Sequence, residues 1–383
     1  MGKIDELIKE LCPDGVEYVK LGEIATLSRG KVYSKEYVTE NAGVYPLYSS
    51  QTRNDGIFGL ISSFDYEGEY LTWTTDGAYA GSIFHRKGKF SITNVCGLIT
   101  IKNKCISYRF LYYWLSIHAK EYVYEGMGNP KLMTNQMIGI QIPLPPLSIQ
   151  QQIMEILDNF TDSISNLQEE LELREKQMEY YRESLLLFDN ENAEWKSIKE
   201  LFETRNGYTP STKNSSFWTD GDIPWFKMED IRDNGHILKD SYSHINKTAI
   251  KGKGLFKANS IIIATSATIG EHALIKTEHL SNQRFTNLYP NKEWINKINM
   301  KFIYYYMYII DEWCKTHVKQ GGFASVDMDG FYKQEIPAPS LSRQQEIVDI
   351  LDTFESMIAN IKEEIELRQK QYEYYREKLL TFD

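Results

Sequence analysis

A chain of 383 residues is long enough for two or three domains with their own cores, and 26 Tyr with 17 Phe exclude a disordered chain. Four cysteines without zinc-type spacing argue against a zinc site and a disulfide framework, and no apolar run is long enough to span a bilayer, so a reduced cytoplasmic protein is expected. The net charge of −10 is uneven: residues 18–141 carry 13 Lys and Arg against 10 Asp and Glu, residues 195–335 carry 19 against 16, and the acidic excess lies in the remainder. A mildly basic block in an acidic chain suits a phosphate-bearing partner better than the total suggests.

The opening "MGKIDELIKEL" reads as a charged amphipathic helix, not a signal peptide. Residues 1–146 then read as a first β-rich block with Gly, Asn and Ser loops. In "YSSQTRNDGIFG" the candidates for contacting nucleic acid are Gln51, Arg53 and Asn54. "TTDGAYAGSIFHRKGKFSITN" adds Thr75, Tyr79, His85, Arg86, Lys87 and Lys89, and "GMGNPKLMTNQM" adds Lys131 and Asn135. The chemistry is that of base and phosphate recognition. Arg and Lys pair with guanine, Asn and Gln pair with adenine, and hydroxyls and cations hold phosphates.

Residues 147–189 read as one long helix that opens after Pro145-Pro146, with Ser148 as the expected N-cap. Apolar residues fall at Ile149, Ile153, Ile156, Phe160, Ile164, Leu167, Leu171, Met178, Tyr181, Leu185 and Phe188, with Arg174 at the charged seam position. Steps of four and three mean a coiled coil, and the extra four at Ile164 is a stutter. A polar seam residue such as Arg174 is expected to fix register.

Residues 190–340 read as a second β-rich block. Its candidates are Arg205, Tyr208, Thr209, Lys213 and Asn214 in "TRNGYTPSTKNSSFW", and Lys227 and Arg232 in "WFKMEDIRDNGH". Ser266 in "ATSATIGEH", Gln283 and Arg284 in "SNQRF", and Lys319 and Ser325 in "KQGGFAS" complete them. Residues 341–383 form a second helix with the same seam, from Ile347 to Phe382 and with Arg368 inside it.

Several signatures are missing. There is no Gly-rich phosphate loop ending in Lys-Ser/Thr. "GNPK" at Gly128 lacks the Asn-Pro-Pro-aromatic pattern of amino-methyltransferases, and "GKG" at Gly252 is too short to argue a cofactor site. His85, His236, His244 and His272 have no spacing that suggests a metal or a triad. No catalytic residue, metal ligand or cofactor site is therefore assigned to this chain.

The two helices are copies. Residues 142–189 and 336–383 align without a gap at an offset of 194, with 30 identities in 48 positions. The blocks ahead of them have diverged, so the arms share one job and the blocks have two. The chain start also imitates the end of the first arm, which makes the duplicated unit look cyclic. Shared residues off the seam include Gln150/Gln344, Gln151/Gln345, Lys176/Lys370, Tyr180/Tyr374 and Arg182/Arg376. They read either as a solvated face copied by duplication or as two copies of one docking seat.

"LCPDGVEYVKLGEI", "IPLPPLSIQQQI" and "IPAPSLSRQQEI", with duplicated arms and dissimilar blocks, resemble a type I restriction–modification specificity subunit (HsdS-like) along the whole chain. The resemblance implies an α+β fold: two β-rich globular α/β target recognition domains, residues 1–146 and 190–340, and two long antiparallel coiled-coil helices, residues 147–189 and 341–383, related by a pseudo-two-fold repeat. Each domain would read one half of a bipartite, asymmetric site in double-stranded DNA. The arms would set the spacing and seat two modification subunits that methylate adenine N6 with S-adenosylmethionine. Two restriction subunits can join and use ATP and Mg²⁺ to translocate and cut. The chain itself would be non-catalytic. The alternative is a coiled-coil adaptor whose blocks bind protein or carbohydrate, separable by the steep salt dependence of DNA binding.

Overall fold

The computed structural model describes residues 2–125, 128–188, 193–319 and 324–382. Gly126 and Met127 of the first block's third loop, Gln320–Phe323 of the second block's last loop, the expected arm end at Asp189 and the last residue of the second arm, Asp383, lie outside them. Two compact units result: Met1–Glu169 with Glu363–Asp383, and Glu170–Lys362.

In the first unit, six strands form one sheet: β1 (Ala25–Arg29), β2 (Ala42–Tyr48), β3 (Ile57–Ile61), β4 (Tyr66–Thr74), β5 (Ile83–Ile92) and β6 (Cys96–Ile101), in the order β1-β6-β4-β5-β2-β3. Alternation sends Leu71 and Trp73 of β4 to one face, where they join Phe110, Leu111 and Trp114 of the helix Tyr108–His118. The opposite face buries Tyr48, Phe90, Ile92, Cys96 and Leu98.

The second unit builds a five-stranded sheet from β7 (Phe202–Asn206), β8 (Ile237–Leu238), β9 (Ser260–Ala264), β10 (His272–Ile275) and β11 (Phe285–Pro290), in the order β7-β11-β9-β10-β8. The apolar run Ile261–Ala264 of β9 follows from burial on both faces. Ile261 and Ile263 face the helix Met300–Thr316, while Ile262 and Ala264 pack on Phe226 and Ile231. A short corner closes each block. Tyr18–Lys20 pairs antiparallel with Gln141–Pro143, and Glu194–Ser197 with Glu335–Ala338.

The arms are the helices Leu147–Leu186 and Leu341–Leu379, of 40 and 39 residues. Within the first unit Phe160 stacks on Tyr375, with ring centroids 5.3 Å apart. Within the second, Tyr181 stacks on Phe354 at 5.1 Å, and Lys362 meets Glu175 at 2.9 Å. In both units the arms therefore run antiparallel, and the two stacked pairs are images of each other under the repeat.

Two expectations about the arms are corrected. The first helix begins at Leu147, so Ser148 lies inside its first turn and caps nothing. The second copy has Ser340 where the first has Pro146, and there Ser340 Oγ does accept the Arg343 amide at 3.3 Å. Arg174 and Arg368 do not fix register across the seam. Each turns back along its own helix, to Glu170 and Gln177 and to Glu364 and Gln371 respectively. No helix among the described residues is long and apolar enough to cross a membrane.

Candidate nucleic-acid interface

The same backbone frame ends both blocks. In the first, β4 runs into the loop Thr75–Ser82; the Thr75 carbonyl accepts the Leu132 amide at 2.9 Å, and the Gly77 amide donates to the Pro130 carbonyl at 3.0 Å. In the second, β9 runs into Thr265; its carbonyl accepts the Val326 amide at 2.9 Å, and the Ala267 amide donates to the Ala324 carbonyl at 3.1 Å. A third segment joins the frame through a glycine. Gly30 N donates to the Cys96 carbonyl and Gly207 N to the Phe285 carbonyl. A Cβ at Gly30 would lie 2.0 Å from the Ile92 carbonyl oxygen, and one at Gly207 would lie 2.2 Å from that of Asn282. Close backbone approach therefore demands glycine at both positions.

Different side chains decorate this frame. On the first block it gathers Thr75, Tyr79 and Lys131. Tyr79 is 57% exposed and Lys131 is exposed, while Thr75 is buried and takes a 2.8 Å bond from Arg29, which also pairs with Asp76. Asn135 stands on the short helix Thr134–Met137 that follows. On the second block it gathers Thr209, Ser266, Gln283, Arg284 and Ser325. The Thr209 hydroxyl bonds the Gln283 side chain, Arg284 is exposed, and Ser266 pairs with Ser325. Behind them, Thr265, Thr286 and Asn206 form a chain of hydrogen bonds of 3.0 Å each, which fixes the floor of the edge.

Other predicted residues lie elsewhere or are already engaged. Arg86 is 3% exposed. It bonds the Asp55 carboxylate and carbonyl and lies 3.6 Å from the Tyr48 ring centroid, so it is a core tie and not a free reader. Thr75, fully buried, likewise positions the edge and cannot reach a base. Gln51, Arg53 and Asn54 sit at the turn before β3; Gln51 bonds the Ile57 carbonyl, Asn54 is left-handed at φ 50°, and Arg53 is exposed. His85, Lys87 and Lys89 face Glu69 and Glu67 across β4 and β5, at 2.6, 3.4 and 3.7 Å. Burial holds the His85 pKa below its ordinary value despite the Glu69 contact.

In the second block, Arg205 donates to the Gly254 carbonyl at 2.7 Å and covers the Phe256 ring; burial lowers its pKa. The Tyr208 hydroxyl donates to the Ala249 carbonyl and accepts the Lys251 amide. Asn214 caps the turn Ser215–Phe217, and the Lys227 amide donates to the Asp230 carboxylate. Arg232 grips Glu271 through two bonds of 2.6 and 3.3 Å, and Lys319 pairs with Asp327 at 2.6 Å. Lys213 is exposed.

The docking candidates on the arms divide in the same way. Gln150 and Gln344 are fully buried and cannot seat a partner. Gln150 donates to the Cys105 and Pro145 carbonyls and accepts the Ser107 amide; Gln344 does the same with Lys297, Pro339 and Asn299. Both therefore lock an arm to the N-terminus of its block's helix. Gln151 bonds Glu155, and Gln345 bonds Asp349 and Asn299. Arg182 and Arg376 lie half-buried over Tyr308 and Tyr372. Lys176 and Lys370 are exposed, as are Tyr180 and Tyr374, at 66% and 56%. Leu173 and Leu367, one heptad before the tyrosines and just as exposed, extend this stripe and were not singled out from the sequence.

Sequence reasoning also missed the second lock at each junction. Asp158 takes bonds from Tyr113 and Arg109, and its repeat image Asp352 takes them from Tyr305 and Lys301. The signal was available, because Asp158 and Asp352 fall at matching positions of the copies. His272, whose spacing suggested neither a metal nor a triad, has its Nδ1 2.5 Å from Asp311 in the buried interior, and its Nε2 has no hydrogen-bond partner among the described residues. The pair ties β10 to the helix Met300–Thr316.

Comparison with known proteins agrees with this architecture. The family described as "Type I restriction modification DNA specificity domain" fits residues 13–174 and again 190–367. A putative type I specificity subunit of Mycoplasma pneumoniae is 32% identical over 368 residues, 95% of this chain and 97% of its own. The type I restriction enzyme EcoprrI specificity subunit of Escherichia coli is 48% identical over 207 residues, 51% of this chain, and the match spans only 52% of its length. The fold is shared with the crystal structure of the type I restriction–modification S subunit from M. genitalium: TM-score 0.59, 14% identity, 96% of each chain covered. The chain, with its paired blocks and duplicated arms, belongs to the type I restriction–modification DNA specificity family.

Proposed function

We propose that the chain is the DNA-reading subunit of a type I complex, with each block reading one half of a bipartite, asymmetric site through its loop edge. The observation that carries this is the recurrence of one backbone frame under different side chains: Tyr79 and Lys131 in one block, Thr209, Gln283 and Arg284 in the other. A frame repeated without its side chains fits two readers of different sequences. Family membership displaces the adaptor reading. The family supplies specificity, not catalysis; methylation with S-adenosylmethionine, and ATP- and Mg²⁺-dependent cleavage, belong in this proposal to partner subunits. Two modification subunits would sit on the exposed stripes Leu173–Lys176–Tyr180 and Leu367–Lys370–Tyr374. In this reading residues 1–146 and 190–340 are the recognition domains, and 147–189 and 341–383 the spacer.

Exchanging residues 195–335 for another family block and mapping methylated adenines tests the reading. One half-site is expected to change while the other and the gap persist. A change in both halves, or methylation at a continuous site, overturns it. Within the second block, R284A is expected to relax one base position by about 1–3 kcal/mol if the guanidinium is bidentate to guanine.

A further inference from the structure

The second block carries a group of cations that the reading edge does not use. Lys247, Lys251, Lys253 and Lys257 are all exposed, and none has a carboxylate at ion-pair distance among the described residues. Some other exposed cations of this block do have one, as at Arg232–Glu271, Lys315–Glu312 and Lys319–Asp327, but here four without one fall within eleven residues.

The segment that bears them is held firmly. The Tyr208 hydroxyl donates to the Ala249 carbonyl at 3.1 Å and accepts the Lys251 amide at 2.9 Å, one residue from Thr209 of the reading edge. At the other end Phe256 is buried, exchanges backbone bonds with His279, and lies under Arg205, which donates to the Gly254 carbonyl. Between these anchors the chain turns through Gly252 and Gly254, at φ 59° and 80°, so Lys253 stands at the tip of a fixed loop. Beside it is a hollow of about 300 Å³, lined by Arg205, Lys253 and Lys257 with Glu203 as the lone carboxylate. Unneutralised cations on an anchored loop, next to hydrogen-bonding side chains, form the arrangement that holds a polyanion backbone while neighbours read its bases.

We propose that the loop Lys247–Lys257 grips DNA phosphates beside the second block's reading edge, independently of sequence. This rests on the DNA-reading function above. The second block then carries a larger share of the salt-dependent affinity than its net charge suggests.

The test compares the full chain with K247Q/K251Q/K253Q and with the corresponding triple arginine variant. Affinity is measured across salt concentrations, on a duplex bearing the mapped methylation motif and on one of random sequence. The glutamine variant is expected to lower the slope of log K against log salt by about 2–3, at roughly 0.9 per lost phosphate contact. It should weaken both duplexes by the same factor and leave the methylation motif unchanged, and arginine should restore the slope. An unchanged slope, or a loss confined to the motif duplex, overturns the proposal. So does intact DNA affinity with reduced co-purification of the modification subunit, which would place an acidic protein surface on the loop. Wild-type binding that ignores salt would instead defeat the DNA-reading function itself.

Discussion

Single residues show why a list of polar side chains is not a site. Arg86, Arg232 and Lys319 have the right chemistry for DNA, yet Asp55, Glu271 and Asp327 already hold them. The first two acids lie 31 and 39 residues away in sequence, beyond anything local periodicity reveals. The opposite error concerns Lys251 and Lys253, which were not singled out from the sequence and have no carboxylate at ion-pair distance among the described residues. Among buried groups, His279 couples stability to pH. Burial pushes its pKa down to about 4, so the unfolded chain binds a proton there first. Its contribution to stability is complete above about pH 6.5 and is lost as pH falls toward 4, by up to about 3 kcal/mol. Urea unfolding at pH 7, 5.5 and 4 should show a smaller loss for H279F than for the wild type. An equal loss would mean that other groups dominate.

Among the elements, the arms were almost fully legible. Their seams, their length and their duplication follow from 3.5-residue spacing and from self-comparison of the chain. Sheet order was not legible, because β6 lies between β1 and β4 through pairings made far along the chain. The loop edges were legible as composition but not as places, since each is assembled from three segments that only the sheet brings together. The role of Gln150 and Gln344 became visible only where arm meets block. Q150L and Q344L are each expected to lower unfolding free energy by about 1–3 kcal/mol, because two carbonyls and an amide lose their partner. The methylation motif should survive at temperatures where the chain stays folded. A change in partner binding with unchanged stability would restore the docking role that the structure removes.

For the whole molecule, the repeat makes half of it nearly self-sufficient. In the first unit Leu379, Leu380 and Phe382 are buried in the block core and Tyr375 stacks on Phe160. Leu185, Leu186, Phe188 and Tyr181 are their images and end the first arm. A chain cut after Asp189 can therefore offer a second copy the same side chains that the second arm supplies. Each buried Leu or Phe is worth about 1.5–3 kcal/mol against helix ordering. The fragment is expected to form an isologous dimer at micromolar concentration, seen by sedimentation, and to direct methylation of a palindrome with a gap. A monomer, or a dimer with an asymmetric motif, would contradict this. Y181A should weaken the dimer by removing the stacked pair.

The closing corners have a consequence for heredity. Tyr18 lies opposite Pro143, and Glu194 opposite Ala338, so each block leaves the scaffold beside the point where it began. Everything between those strands can be exchanged as a cassette, provided the foreign block matches the two adjacent strand ends, the helix locked by the buried glutamine and by Asp158 or Asp352, and the apolar face that receives the arm ends. Gene conversion across these short stretches would then recombine blocks freely without touching the arms. A population holding several versions of each block would command a number of DNA specificities equal to the product of the two counts, not their sum.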